Sequence, residues 1–532
     1  MKTQATGTSA GVKHSCDTSN FEFPIIDGTY PTNITAVPTY NYTAHSLSPG
    51  SINMSVYTID FCNVSVTYSH HGASDSVNVQ VWLPLPSKWN GRMQAVGGGG
   101  YSASFGSLYM TQAVGNGYIA LDTNAGHVRG TDSATTPESW ALHYPGKVNI
   151  QLVNNWGSTS LHEMAVIAKT VSKNYYGKKP RYSYFTGCSG GGRQAMMIAQ
   201  KYANDFDGLM AAAPAINIEN FIPAGYWATQ TMIDLEVVPE PCEFEALTQA
   251  AIDACDALDG VEDGIISSPA LCAFNPQTIV GQTFSCNGTV RHFTKAAASI
   301  VQAAWTGPGS GNDRVGWFGL NKDAFLTSTY ITTQCSGNGT CVLLSSNLLS
   351  SWIQYFSAND PTWNATAMSA DEFLSYLDQS EQNYSNSLAA DNPDLSAFRK
   401  AGGKMITWHG LADEAIPPNG TIAYMEQVLN VNPQSENFIR FYEAPGVGHC
   451  YGGTGAPPTN AFSQLVAWVE NGTVPTTLEA ADAQGRQREL CTFPLRQTYL
   501  GGDLRDAASF GCRLTAEKGT PAHELPFYRG YL

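Results

Sequence analysis

Arg181-Tyr182-Ser183-Tyr184-Phe185-Thr186 runs into Gly187-Cys188-Ser189-Gly190-Gly191, and Arg193-Gln194-Ala195-Met196-Met197-Ile198-Ala199 follows. The first stretch reads as a strand and the last as the helix leaving it. Between them lies a G-x-S-x-G turn. When a chain turns sharply from strand to helix, the backbone crowds, and glycines on both flanks relieve the crowding. Gly187 and Gly191 do so around Ser189. Such an elbow lifts a serine hydroxyl above the end of a sheet, which makes Ser189 a candidate nucleophile.

Outward from the elbow, strands and helices alternate. Residues 52–68 and 76–84 alternate apolar and polar positions, as half-buried strands do. Met93-Gln94-Ala95-Val96 is a short strand ending in Gly97-Gly98-Gly99-Gly100-Tyr101. Residues 159–175 carry helical periodicity, and Leu209-Met210-Ala211-Ala212-Ala213 is another buried strand. This alternation predicts an α/β fold with a mostly parallel sheet. Residues 240–345 break it, with six of the twelve cysteines and much Gly, Asn and Ser, and 346–390 return to helical, aromatic-rich patterns. After 403 the alternation resumes: a strand at 404–408, a helix at 421–430, a strand at 438–443 and a helix at 459–470. The expected organisation is a core from residues 1–219 and 396–532, with a domain inserted at roughly 220–395.

A chain of 532 residues exceeds one ordinary core, as that insertion requires. Charged residues make up only 14%, below the usual share of about 25%. The net charge of -16 argues against nucleic acid and anionic membrane as partners. No apolar run is long enough for a transmembrane helix. Twelve cysteines without a C-x-x-C weaken any zinc-ribbon or thioredoxin reading. Ten N-x-S/T sequons start at Asn33, Asn41, Asn53, Asn63, Asn287, Asn338, Asn364, Asn383, Asn419 and Asn471. With the even cysteine count they point to the secretory pathway. Met1 to Thr6 lacks the apolar core of a signal peptide, so export is inferred from cysteines and sequons.

A serine hydroxyl becomes a good nucleophile when a neighbouring base accepts its proton, and a buried carboxylate orients that base. On a strand-turn-helix scaffold the order is serine, acid, histidine. Trp408-His409-Gly410-Leu411-Ala412-Asp413-Glu414-Ala415-Ile416-Pro417 fits the acid: a strand ends, Gly410 turns it, and Asp413 lies in the loop, with Glu414 its nearest rival. Pro445-Gly446-Val447-Gly448-His449-Cys450 fits the histidine loop. His409 is close to the acid and suits a local packing or hydrogen-bonding role. The oxyanion needs fixed backbone N–H donors. Gly190 supplies one, and Gly100 or Tyr101 of the glycine loop the other.

Cys188 and Cys450 each adjoin a candidate catalytic residue. A disulfide between them would hold Ser189 and His449 close, because bridged Cα atoms lie about 4.4–6.8 Å apart; the alternative is that both stay buried and reduced. Connectivity cannot be derived from sequence. Short loops make Cys16–Cys62, Cys255–Cys272, Cys335–Cys341 and Cys491–Cys512 attractive, leaving Cys242–Cys286. Asp256, Asp259 and Asp263 fall within one short glycine-broken run, which suits a hard cation, with a metal-free acidic turn as the alternative.

The Cys-Ser, Asp and His-Cys arrangement at 188–189, 413 and 449–450 resembles the fungal tannase and feruloyl esterase family, from the Cys62 region to the tail ending in Cys512. The resemblance implies an α/β-hydrolase core with a large lid domain and a structural calcium ion in the lid. It implies Asp256, Asp259 and Asp263 as side-chain ligands and Val261 and Ile265 as carbonyl ligands. It implies a secreted serine esterase acting on aromatic acid esters, feruloyl esters of plant cell-wall sugars first and galloyl esters of tannins second. Tyr226, Trp227, Trp352, Tyr355 and Phe356 are candidates to stack on the acid or to pack the lid core. A serine peptidase shares the triad, and amides tested against matched esters separate the two. A non-catalytic binding protein would ordinarily lack one triad member.

Overall fold

The structure is a computed structural model and describes residues 15–51, 54–130, 134–309, 316–336, 340–344 and 348–514. Its framework is a nine-stranded sheet. The strands are β1 (Thr29–Ser46), β2 (Ser55–His70), β3 (Val77–Pro84), β4 (Arg92–Val96), β5 (Ile119–Thr123), β6 (Tyr182–Cys188), β7 (Gly208–Ala212), β8 (Lys404–Gly410) and β9 (Ile439–Ala444). They lie in the order β1-β2-β3-β5-β4-β6-β7-β8-β9. From β5 to β9 every pairing is parallel. From β1 to β5 every pairing is antiparallel. The α/β fold class holds, and the sheet is mixed.

Burial explains the split. β5 and β7 are buried at every position, as parallel strands covered on both faces must be. One face is covered by α1 (Ser160–Tyr176), α2 (Gly190–Lys201) and the helix Pro418–Val431, through residues such as Met164, Ile167, Met196 and Met425. The other is covered by Ser107–Gly115 and Ala461–Asn471, through Met110, Leu465 and Trp468. β1 is largely exposed and interrupted by register shifts after Pro31 and Thr39. Its prolines belong on an edge strand. Sequence periodicity found neither β1, which lacks a buried stripe, nor the short β5.

Between β7 and β8 the chain makes a long excursion with its own apolar cluster. Phe244, Ile300, Trp352, Phe356 and Phe373 are fully buried there. Three disulfides staple it: Cys242–Cys286, Cys255–Cys272 and Cys335–Cys341. The cluster also takes in Tyr101, Trp140 and Trp156 from the first half of the chain, with the Tyr101 ring 6.3 Å from that of Trp352. The remaining bridges are Cys16–Cys62, Cys188–Cys450 and Cys491–Cys512. Asn33, Asn41, Asn287, Asn364, Asn383 and Asn471 are exposed, Asn63 and Asn419 are half-buried, and Asn53 and Asn338 lie outside the described residues. Among the described residues no helix is long and apolar enough to cross a membrane.

Candidate active site

β6 delivers Ser189 at φ 62° and ψ −123°, a conformation non-glycine residues rarely adopt. The turn is over-determined by its neighbours. The Ser189 N–H donates to Ala212 O at 3.0 Å, and its carbonyl accepts from Arg193 N at 3.0 Å and Ala215 N at 3.1 Å. A Cβ at Gly187 would fall 2.4 Å from the Gly191 backbone, so this flank admits only glycine. The Gly97–Tyr101 loop presses against the other side of the turn, with the Gly191 N–H donating to Gly98 O at 3.0 Å.

Gly190 is the first residue of α2, where an N–H has no partner within the helix. Gly100 N lies 3.5 Å from where a Gly190 Cβ would stand, and both residues line the same cavity as Ser189. Tyr101 is different. Its N–H donates to Ala134 O at 2.9 Å, and its hydroxyl donates to Leu348 O at 2.8 Å. The expectation that Tyr101 could be an oxyanion donor is therefore corrected: its amide is committed, and of the two loop residues Gly100 remains.

Asp413 lies just beyond β8 and is fully buried. Oδ1 accepts from Ala415 N and Ile416 N, both at 2.8 Å. Oδ2 lies 2.9 Å from His449 Nδ1 and 3.1 Å from His409 Nε2. Burial alone would raise this carboxyl, but the His449 charge and the bonds from both imidazoles hold it well below the usual range. For His449 the order is similar. Burial pulls the imidazole down, and Asp413 and then Glu414 more than offset this, leaving it raised. With Nδ1 engaged by the carboxylate, Nε2 is the ring nitrogen left for the cavity, which His449 and Ser189 both line. Glu414 has a separate job: its Oε2 accepts from His449 N at 2.9 Å. His409 Nε2 also lies 3.2 Å from the Ile416 carbonyl and its Nδ1 2.8 Å from the Thr421 hydroxyl, the local role its position suggested.

The Cys188–Cys450 bridge puts the two Cα atoms 5.9 Å apart and joins the Ser189 and His449 loops covalently. The arrangement has the components that acyl transfer needs: a candidate nucleophile on a strained turn, a candidate base held by a buried carboxylate, and N–H groups beside the serine.

The cavity over Ser189 has a volume of about 490 Å³. Its walls include Ile218, Phe221 and Ile222 on α3 (Ile218–Gly225), with Ala215, Leu348, Ala415 and Ile416. Polar side chains come from Thr135, Ser328 and Thr329. The aromatic residues singled out from sequence are not among these walls. Tyr226, Trp352, Tyr355 and Phe356 are buried in the excursion's cluster, and Trp227 stacks on Phe373. Sequence reading missed Ile218, Phe221 and Ile222. Their i, i+3, i+4 spacing marks an apolar helix face, but not what that face would meet.

The acidic loop wraps its own backbone around Asp256. The Asp256 carboxylate accepts from Asp263 N, Gly264 N and Ile265 N at 2.8–3.3 Å. Asp259 Oδ1 accepts from Val261 N at 3.1 Å. Asp263 Oδ2 meets Arg488 at 3.1 Å, while its Oδ1 is buried with no hydrogen-bond partner. Burial, opposed in part by nearby partners and reinforced by the neighbouring aspartates, raises Asp259 and Asp263. The donors are all oxygens, the kind a hard cation takes, and one carboxylate oxygen is orphaned. But Asp256 is bonded to backbone amides, Asp263 to Arg488, and among the described residues the three carboxylates do not gather within one ion's reach. The loop is far from Ser189 in sequence, yet Ile265 packs on Gly446, three residues before His449: a Gly446 Cβ would fall 2.9 Å from it.

The family profile described as "Tannase and feruloyl esterase" matches residues 62–513. A probable feruloyl esterase of Arthroderma benhamiae is 41% identical over 466 residues, covering 86% of each chain. A tannase of Aspergillus oryzae is 27% identical, covering 94% of this chain and 92% of its own. The solved structure of a tannin acyl hydrolase from Aspergillus niger superposes with a TM-score of 0.82 at 26% identity, over 94% of this chain and 95% of the other. A match across most of the chain, joined to an α/β-hydrolase sheet, identifies the protein as an esterase of the tannase and feruloyl esterase family.

Proposed function

We propose that the protein is a secreted serine esterase that releases hydroxycinnamic acids of the ferulic type from plant cell-wall esters. The observation that carries this reading is the meeting of Ser189 and the Asp413–His449 pair at one mostly apolar cavity. His449 Nε2 takes the Ser189 proton as Oγ attacks the ester carbonyl carbon. The N–H groups of Gly190 and Gly100 hold the oxyanion. The protonated imidazole then gives its proton to the departing alcohol oxygen. Water, activated by the same imidazole, attacks the acyl-enzyme, and the carboxylic acid leaves with Ser189 restored.

The walls favour a cinnamoyl group over a galloyl one. Ile218, Phe221, Ile222 and Ile416 offer an aromatic ring and its propenoyl link an apolar bed. Three adjacent galloyl hydroxyls would need Thr135, Ser328 and Thr329, the polar side chains of the wall, each placed to pair them, at about 1–3 kcal/mol for each hydroxyl left buried and unpaired. The tannase reading stands second, supported by the likeness to the tannin acyl hydrolase. In this proposal residues 220–395 act as the lid. Asp256, Asp259 and Asp263, with the Val261 and Ile265 carbonyls, would hold calcium, which when bound neutralises the loop's clustered acids. Chelation should lower Tm and metal analysis should find calcium; an unchanged Tm and no metal would remove it.

The deciding experiment measures initial rates on methyl ferulate, methyl caffeate, methyl p-coumarate, methyl sinapate and methyl gallate, with Ser189→Ala as control. Turnover of cinnamates without gallate supports the first reading, and gallate turnover supports the second. Equal rates for wild type and Ser189→Ala would remove Ser189 from the mechanism.

A further inference from the structure

The cavity accounts for one half of an ester; the departing alcohol must lie elsewhere. If His449 protonates the leaving oxygen, that oxygen comes within about 2.6–3.2 Å of Nε2, and the alcohol moiety extends past the His449 loop rather than into the apolar pocket. Aromatic side chains cluster beside the Gly97–Tyr101 and His449 loops. Phe105 lies over Gly99: a Gly99 Cβ would be 2.9 Å from the Phe105 ring and 4.0 Å from Ser189 Cβ. Tyr109 follows one helical turn later, with its ring 5.6 Å from that of Phe105. Tyr109 and Cys450 pack on the same apolar cluster beneath. Tyr451 directly follows Cys450, its N–H donating to His449 O at 2.7 Å, and it is 47% exposed. Burial raises the Tyr109 hydroxyl, and the Tyr451 phenol adds to the shift, as expected of near neighbours. None of the three rings lines the cavity above Ser189.

We propose that Phe105, Tyr109 and Tyr451 form an alcohol-side subsite that stacks the sugar ring of a feruloylated saccharide. This rests on the reading of Ser189 and His449 as nucleophile and base. A sugar ring presents an apolar C–H face and a polar rim. Aromatic faces cover the former while the open surroundings keep the latter wet, so rings outside the pocket suit a sugar better than a second phenolic acid. In this proposal the methyl group of a methyl ester falls short of Phe105 and Tyr451, and the arabinose of a feruloylated saccharide spans to them.

The test compares methyl ferulate with 5-O-feruloyl-arabinose, which share the acyl group, for the wild type, Phe105→Leu, Tyr451→Ala and Tyr451→Phe. The expected result is a roughly five- to tenfold fall in kcat/KM on the sugar ester for Phe105→Leu and Tyr451→Ala, with methyl ferulate changed less than twofold. Tyr451→Phe keeps the ring and should keep the sugar preference. Equal losses on both esters would mean that the rings shape the catalytic loops and not a subsite, and no loss on either would leave them without a role; both outcomes overturn the proposal. Wild-type silence on both esters would overturn the cinnamoyl-ester reading beneath it as well. Turnover of methyl ferulate without discrimination by the variants would overturn the subsite alone.

Discussion

At the ends of β6, β8 and β9, each candidate polar group is held by hydrogen bonds or a covalent bridge. Ser189 is fixed by three backbone bonds, Asp413 by two amides and two imidazoles, and His449 by Asp413, Glu414 and the disulfide beside it. The excursion between β7 and β8 contributes no member of that polar set. It supplies much of the apolar wall of the cavity, held by an aromatic cluster and three disulfides. On the proposed mechanism the sheet carries chemistry, which needs fixed positions, and the excursion carries shape, which needs volume and surface. Substitutions on the two sides should fail differently: on the sheet side rates fall at constant recognition, and on the other recognition changes at constant reactivity.

The largest expected effect is that of Asp413→Asn, a fall in kcat on methyl ferulate of roughly 10⁴-fold. KM should change little, because Asp413 does not line the cavity. A fall of less than tenfold would detach the carboxylate from the chemistry.

Next come the disulfides. Cys188–Cys450 spans 262 residues and Cys335–Cys341 only 6. In the chain-entropy account their removal costs about 5.6 and about 2.2 kcal/mol respectively. Paired Cys→Ala variants, followed by denaturant unfolding and kcat, should show a further contrast. Loss of the first bridge should cut kcat by roughly tenfold or more through a loosened Ser189–His449 distance, and loss of the second should leave kcat nearly unchanged. Equal losses of kcat would contradict the positioning role.

On the excursion's side, Phe221→Leu should raise KM for methyl ferulate by roughly tenfold, while the rate of Ser189 labelling by a small organophosphate stays the same. If labelling slows in step, wall and chemistry are not separable and the comparison breaks.

The subtlest test is Glu414→Gln. In the proposed mechanism His449 must be neutral to accept the serine proton, and Asp413 and Glu414 together raise it above its ordinary 6.5. Its protonation therefore begins at a higher pH than for a free imidazole, and activity falls as pH drops through that raised value. Replacing Glu414 by the neutral amide keeps an acceptor for His449 N and removes one raising charge, so the acid limb of kcat/KM should move to lower pH. A limb that moves up or stays would assign that raise elsewhere.

The reading from sequence was strongest where the chemistry is encoded by adjacent residues. A turn as tight as Gly187–Gly191, a cysteine beside Ser189 and another beside His449, and an acid shortly after a strand-ending glycine are all short-range facts. Backbone sterics and covalent bonds make such facts nearly independent of the rest of the fold. Strands with strong patterns, such as β6 and β8, were legible for the same reason. β1 and β5 were not, because one is an exposed edge and the other ends in the buried polar pair Asp122-Thr123, which breaks its apolar run.

What tertiary structure decided is long-range. Whether Gly100 or Tyr101 keeps a free N–H depends on Ala134, which reaches Tyr101 across the chain. The aromatic residues of the excursion pack inward, while Ile218, Phe221 and Ile222 face Ser189. The acidic loop comes to rest on Gly446 through Ile265. Each depends on which surfaces bury one another, and hydrophobic burial is non-directional. Local sequence therefore carried the candidate reacting groups, and only packing across the whole chain could assign the walls around them.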